Sequence, residues 1–213
     1  MFECCKKPGY GDPTMPAPRY EDGRYLCEGD SIVHLMNVKA CIHPDAFNIG
    51  QGGDITESPN MLGEVAAMAE RHKTQPIEKV YIHTGGNYLV LWGSLDQNRV
   101  YTELDRLIKE YKKITKDITV SSLPYVYPGL TLKDRFPGIP KKIANIKCND
   151  IFAIWSVGYE QVARVNNVKF FNEFLFLKTL YKKLGSEIWS DGIHHTLETQ
   201  LKIGAIIRTY WGV

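Results

Sequence analysis

The chain has 213 residues, of which 44% are hydrophobic and 23% are charged, so it is long enough for one domain with a buried core. Its 26 basic and 24 acidic side chains leave a formal net charge of +2, which argues against a nucleic-acid partner. No apolar run approaches the roughly 18 residues that a membrane span needs.

The first 23 residues differ in composition from the rest of the chain. They hold four Pro and three Gly, and predict an irregular arm, residues 1–23, before a single domain, residues 24–213. The polar start of the arm lacks the apolar core of a signal peptide. The five cysteines show no zinc-type spacing, which favours reduced thiols. We therefore expect a cytoplasmic protein by default, the alternative being a component of a virus particle or a mobile-element protein.

Short apolar runs that end in turns predict five strands, near residues 24–28, 46–49, 80–83, 118–120 and 168–171. Helical periodicity between and after them predicts a helix after Ser31 and further helices at 61–72, 97–114, about 141–164, 174–184 (a short helix or a loop) and 197–210. The Pro- and Gly-rich residues 125–140 predict a loop. This alternation indicates an α/β fold with a parallel sheet covered on both faces.

Four polar pieces fall where predicted strands meet loops. They are Gly29-Asp30-Ser31, the Gly-rich turn 48–56, the turn 83–87 and the segment Asp191-Gly192-Ile193-His194. The ends of successive parallel strands open on one edge of a sheet, so these pieces are able to converge although they are distant in sequence.

Together the four pieces supply the parts that acyl transfer requires. Ser31 is the candidate nucleophile, His194 the base that removes its proton, and Asp191 the acceptor that orients the imidazole. The backbone N–H groups of Ser31 and Gly53 and the side-chain amide of Asn87 are candidate donors to the oxyanion.

These four blocks, in this order, resemble those of the SGNH (GDSL) hydrolases. Ser122-Leu123-Pro124 after the fourth strand and Thr196 after the histidine add to the likeness, which spans residues 24 to about 210. The resemblance implies a flavodoxin-like three-layer α/β/α sandwich with a five-stranded parallel sheet. It also implies a serine esterase that needs no metal and no organic cofactor, with Ser31, His194 and Asp191 as the triad and Ser31, Gly53 and Asn87 as the oxyanion hole.

The chain departs from the family pattern at two positions. Tyr88 stands where the family usually has Asp, which predicts a narrowed or reshaped acyl pocket. His195 follows the predicted base in place of an apolar residue or Pro, and we assign it a surface position. His83, at the end of the third strand, has two open interpretations: a side chain that reaches the cleft, or a buried ring bonded to a backbone carbonyl.

Aromatic residues in the loops bear on the substrate. Tyr88, Trp92 and Tyr125 are candidate substrate contacts, and Tyr127 lies nearby in sequence, because aromatic faces suit sugar rings and acyl chains. Loop packing explains them equally well. With no long apolar lid in the sequence, we expect a small-molecule or glycan ester with a short acyl group, such as an O-acetyl carbohydrate, which would make the protein a deacetylase.

Two other functions fit the same residues. An acyltransferase would use the same triad with an alcohol or amine in place of water. A non-catalytic binding or accessory module would keep only the fold. The sequence specifies neither the acyl and alcohol parts of the substrate nor the oligomeric state.

Overall fold

The computed structural model describes residues 22–51, 59–90, 95–135 and 141–213, so nearly all of the predicted N-terminal arm lies outside the described residues. Within them, five parallel strands form one sheet in the order β2-β1-β3-β4-β5. The strands are β1 Tyr25–Gly29, β2 Ala46–Asn48, β3 Lys79–His83, β4 Asp117–Ser121 and β5 Lys169–Phe171. Each boundary lies within one residue of its predicted position.

The three central strands β1, β3 and β4 are buried on both faces, as their continuous apolar runs predict. All five residues of β1 are buried, and Leu26 pairs in parallel register with Phe47 of β2 and Val80 of β3. Glu28 is the charged residue of this buried strand, and its carboxylate accepts a hydrogen bond from the Tyr111 hydroxyl inside the core. A polar group in a buried strand thus has a partner, as burial demands.

Ten helices are present in the described residues, and they pack in two groups. They are α1 Ser31–His34, α2 Val38–Cys41, α3 Pro59–His72, α4 Gly86–Val90, α5 Gln97–Tyr111, α6 Leu132–Arg135, α7 Lys141–Ala144, α8 Cys148–Val165, α9 Glu173–Leu184 and α10 Leu197–Trp211. Helix α2 packs on α10, and α5 packs on both α3 and α8. With the sheet between them the layers form an α/β/α sandwich, which confirms the predicted fold class. None of these helices combines the length and apolar character that a membrane crossing requires.

The helix predicted over residues 141–164 is wrong at its start. Helix α7 ends at Ala144, and α8 begins only at Cys148. Between them the backbone pairs with the residues just before and at the start of α6. The Leu132 N–H donates to the Ile146 carbonyl, and the Cys148 N–H donates to the Leu130 carbonyl, both at 3.0 Å. These bonds replace the helical ones. Helix α6 also lies inside the region predicted as a loop.

The order of the strands indicates where a ligand site is expected. The chain goes from β1 to β2 on one side and then returns to β3 on the other side of β1. The carboxyl ends of β1 and β3 are neighbours there: Gly29 pairs with His83, and the Asp30 N–H donates to the His83 carbonyl at 3.2 Å. Open α/β sheets bind ligands at such a reversal of strand order.

Candidate active site

Ser31 is the first residue of α1, directly after β1. Asp30 caps this short helix, because its Oδ1 accepts the Ile32 N–H at 3.1 Å. The side-chain amide of Asn48, the last residue of β2 and the first of the Asn-x-Gly turn, donates to the carbonyls of Val33 at 2.5 Å and Met36 at 3.2 Å. These bonds fix the turn so that Ser31 stands at the carboxyl edge of the sheet.

The segment before α10 forms a tight turn organised by Asp191. Its Oδ1 accepts the N–H groups of Ile193 at 3.0 Å and His194 at 2.7 Å. Gly192 adopts φ +90°, a conformation that L side chains rarely adopt, and its carbonyl accepts the Tyr127 N–H at 2.8 Å. The turn therefore holds the His194 ring in one direction.

The structure brings the three predicted triad side chains together. His194 Nε2 lies 3.0 Å from Ser31 Oγ, and His194 Nδ1 lies 2.5 Å from Asp191 Oδ2. Burial disfavours the Asp191 charge, but bonds from the His194 ring and from the N–H groups of His194 and Ile193 outweigh it and lower the pKa of Asp191 to about 2. An ionised carboxylate thus faces one ring nitrogen while the other faces the hydroxyl, which is the arrangement of a general base.

Asn87 reaches the same cleft from the loop after β3. Gly85 gives this loop its shape: its φ is +105°, and a Cβ there would lie 1.8 Å from the Tyr159 hydroxyl, which donates to the Thr84 carbonyl. The chain then enters α4 with Asn87 in its first turn, 5% exposed. A side-chain amide therefore lines the cleft together with Ser31.

The cleft contains about 290 Å³ of empty space, a figure that includes open solvent. Its polar side is lined by Asp30, Ser31, Gly86 and Asn87. Its apolar walls are Ile32, Pro124, Val126, Phe152 and Ile193. Phe152 belongs to the long helix α8 and is 1% exposed, so this wall is part of the packed core. The described part of the cleft therefore combines Ser31 with apolar walls.

The remaining predicted contacts lie elsewhere. Gly53 and Trp92 lie outside the described residues. Tyr88 is 1% exposed, with the Arg99 guanidinium 6.0 Å from its ring centre, and does not line the described part of the cleft. Tyr125 is also buried, in an aromatic cluster with Trp189 and Tyr181.

The surface position assigned to His195 is wrong. Its side chain is 1% exposed, and its Nε2 lies 3.7 Å from Glu173 Oε1. His83 is buried too, but between carboxylates rather than on a backbone carbonyl. Glu173, the first residue of α9, carries no sequence signal that separates it from an exposed helix-start carboxylate. Among the described side chains, no group of three His, Cys, Asp or Glu is arranged to hold a metal ion.

Comparison with solved structures identifies the fold. A lipase/acylhydrolase from Enterococcus faecalis matches with a TM-score of 0.65 and 19% identity, over 89% of this chain and 96% of that one. A member of the lipolytic protein G-D-S-L family from Veillonella parvula matches with a TM-score of 0.64 and 17% identity, over 87% of this chain and 95% of that one. The chain has the SGNH hydrolase fold. An acetylxylan esterase from Geobacillus stearothermophilus shares this fold, with a TM-score of 0.59 and 14% identity over 90% of this chain and 95% of that one.

The resemblance to SGNH hydrolases that the sequence predicts is thus confirmed at the level of the fold. No family model and no curated protein sequence matches the chain. In this chain the residues that follow β1 and β3 line one cleft with the turn that precedes α10, and three of the four predicted blocks contribute to it.

Proposed function

We propose that the protein is a serine ester hydrolase that acts through Ser31, His194 and Asp191. The observation that carries the proposal is the line of contacts from Asp191 through His194 to Ser31 Oγ, at 2.5 and 3.0 Å, at the rim of a cleft. His194 takes the hydroxyl proton as Ser31 attacks the ester carbonyl, and returns it to the leaving alcohol. Water then hydrolyses the acyl-enzyme by the same route.

The oxyanion of the tetrahedral intermediate needs donors that are in place before it forms. Asn87 lines the cleft beside Ser31 and is the proposed side-chain donor. The Ser31 N–H is a second donor, at the start of a helix where backbone N–H groups have no helical partner. Gly53 is proposed as the third from the family pattern.

We propose a short acyl group, with O-acetyl carbohydrate as the favoured substrate class. Phe152, which is buried in the core, and Ile193 wall the cleft beside Ser31 and bound the space for the acyl group. The ring of Tyr127, 48% exposed beside the Asp191–His194 turn, offers a face for a sugar. The solved acetylxylan esterase of the same fold supports this choice.

A fluorophosphonate probe tests the nucleophile, because it labels only an activated serine. We expect the wild type to be labelled and Ser31→Ala and His194→Ala to remain unlabelled. Ser122→Ala, which removes another buried hydroxyl, serves as the matched control and should label normally. An unlabelled wild type would favour the non-catalytic module, and labelling that persists in Ser31→Ala would move the nucleophile elsewhere.

Substrate choice is tested with p-nitrophenyl acetate against the octanoate ester. We expect the higher kcat/KM for acetate. Faster octanoate cleavage would overturn the short-acyl assignment. Product analysis with an added xylose acceptor then identifies the acyl acceptor: free acetate alone indicates a hydrolase, whereas acetylated xylose indicates the acyltransferase.

A further inference from the structure

Four buried ionisable side chains, beginning at the residue next to Ser31, lie close to one another, and the proposed mechanism does not use them. His83 Nδ1 lies 3.7 Å from Asp30 Oδ1, and His83 Nε2 lies 3.5 Å from Glu173 Oε2. The other Glu173 oxygen lies 3.7 Å from His195 Nε2. None of the four side chains is more than 5% exposed. We call this set, Asp30, His83, Glu173 and His195, the buried cluster.

The surroundings of the cluster indicate its charges. Burial opposes ionisation of Glu173, but the charge of His83 and a 2.6 Å bond from the Ser121 hydroxyl prevail, and lower the pKa of Glu173 to about 2. Tyr81 donates a second hydroxyl to the same oxygen at 3.1 Å. Burial also opposes a charge on His83, but the Glu173 and Asp30 carboxylates raise the pKa of His83 to about 10.

His195 completes the pattern as a neutral ring. Burial lowers its pKa to about 4, although the Glu173 charge acts in the opposite direction. Tyr81 and Tyr159 face the cluster from β3 and α8, and burial raises the pKa of both phenols, so they stay neutral. The cluster thus places a cationic His83 ring between two carboxylates, those of Asp30 and Glu173. A buried charge without a partner costs several kcal/mol, so each member depends on its neighbours.

The cluster touches both segments that carry the proposed triad. Asp30 immediately precedes Ser31, caps α1 and lines the cleft. His195 immediately follows His194, and its ring points into the interior while that of His194 faces Ser31. His83 lies between them at the end of β3. The Asp30 carboxylate is therefore a negative charge next to the place where the oxyanion develops.

We propose that His83 is a positioning residue whose positive charge offsets the Asp30 carboxylate beside Ser31. This inference rests on the proposed esterase function. Without the His83 charge, Asp30 opposes the negative charge of the tetrahedral intermediate and stabilises the protonated form of His194, which is inactive as a base.

His83→Gln tests the proposal, because Gln keeps a polar side chain but cannot carry the charge. We expect kcat on p-nitrophenyl acetate to fall about 10- to 100-fold, as a unit charge a few ångströms away predicts. We also expect the acid limb of the pH–rate profile to move to higher pH. His72→Gln, in α3 and away from the cleft, is the matched control and should keep wild-type kinetics.

The double variant Asp30→Asn/His83→Gln separates charge from structure. Asn is also a good helix cap, so the turn is kept while the unbalanced carboxylate is removed. We expect the double variant to recover at least half of the lost log kcat and to return the acid limb of the pH–rate profile towards its wild-type position. A double variant no better than His83→Gln, or a His83→Gln protein with wild-type kcat and pH profile, would overturn the proposal.

Nitrogen-15 NMR of the wild-type imidazoles tests the proposal without any variant, so the result does not depend on whether a variant folds. We expect both His83 nitrogens to be protonated at pH 8, and a neutral His83 ring would overturn the proposal. Wild type and Ser31→Ala are assayed alongside. If the proposed function is wrong, the wild type is inactive. If only this inference is wrong, the wild type is active and His83→Gln has the same kcat and pH profile.

Discussion

Single side chains in this site serve more than one purpose. Asp191 orients the His194 ring with one oxygen and closes the turn with the other. Asp30 caps α1 while it faces His83. Asn48 has no chemical role in the proposal, yet its amide ties the turn after β2 to α1. Such double roles mean that a substitution affects both the geometry and the charges of the site, so kinetic tests need matched controls.

Asn87 offers the cleanest residue-scale test of the oxyanion hole. For Asn87→Ala we expect kcat on p-nitrophenyl acetate to fall about 10²- to 10³-fold with little change in KM, because the donor acts on charge that exists only in the transition state. Asn166→Ala, another buried Asn bonded to Asp105 far from the cleft, is the control and should keep kcat within about twofold. Wild-type kcat in Asn87→Ala would remove Asn87 from the oxyanion hole.

At this scale, the sequence identified the residues that belong to short motifs. The three-residue spacing of Asp191 and His194 is local, so their contact follows from one turn. Glu173 and His195 were not recognised, because their contact depends on how α9 packs against the end of β4 and on the turn before α10. No local pattern indicates that a carboxylate and an imidazole will be buried together.

The secondary-structure elements set the shape of the cleft. Helix α8 contributes Phe152, while the turn before α10 contributes Ile193. Strands were predicted closely because fully buried strands read as apolar runs bounded by turns. The break between α7 and α8 was missed, since residues 145–147 hold no Pro or Gly and the break depends on pairing with residues 130–132.

Phe152 is the element-scale test of acyl length. In Phe152→Ala we expect the ratio of kcat/KM for octanoate over acetate to rise at least about tenfold, because each added methylene contributes appreciably in an apolar pocket. The substitution costs about 3–5 kcal/mol of stability, so assays belong at low temperature. Phe171→Ala in β5 removes a comparably buried ring outside the described cleft lining, and should leave the ratio unchanged. An unchanged ratio in both variants would exclude Phe152 as the wall that limits chain length.

For the whole molecule, the two buried histidines make stability depend on pH in opposite directions. The native state keeps a proton on His83 up to about pH 10, whereas the unfolded ring loses it near its ordinary value of 6.5, so stability falls as pH rises through this window. His195 in the native state binds a proton only near pH 4, whereas the unfolded ring binds one near pH 6.5, so stability falls as pH drops from 6.5 to 4. Glu173 and Asp191, with pKa values lowered to about 2, contribute constantly above pH 5.

We therefore expect the free energy of unfolding to be highest near pH 6.5. Urea denaturation at half-unit steps from pH 5 to 8 measures it, with slopes of at most about 1.4 kcal/mol per pH unit on either side. This range avoids the thiol of Cys27, whose pKa burial raises. His83→Gln should flatten the alkaline side, because the variant has no imidazole at this position to lose a proton. Stability that climbs steadily from pH 6.5 to 8 in the wild type would contradict the charge assigned to His83.

The contact between Ser31 and His194 joins residues 163 positions apart. During synthesis at about 5–20 residues per second, the serine leaves the ribosome roughly ten to thirty seconds before the imidazole that is to activate it. The carboxylate that orients the ring is made equally late. Under the proposed mechanism, a nascent chain that lacks residues 191–194 thus carries a hydroxyl no more reactive than that of any other serine.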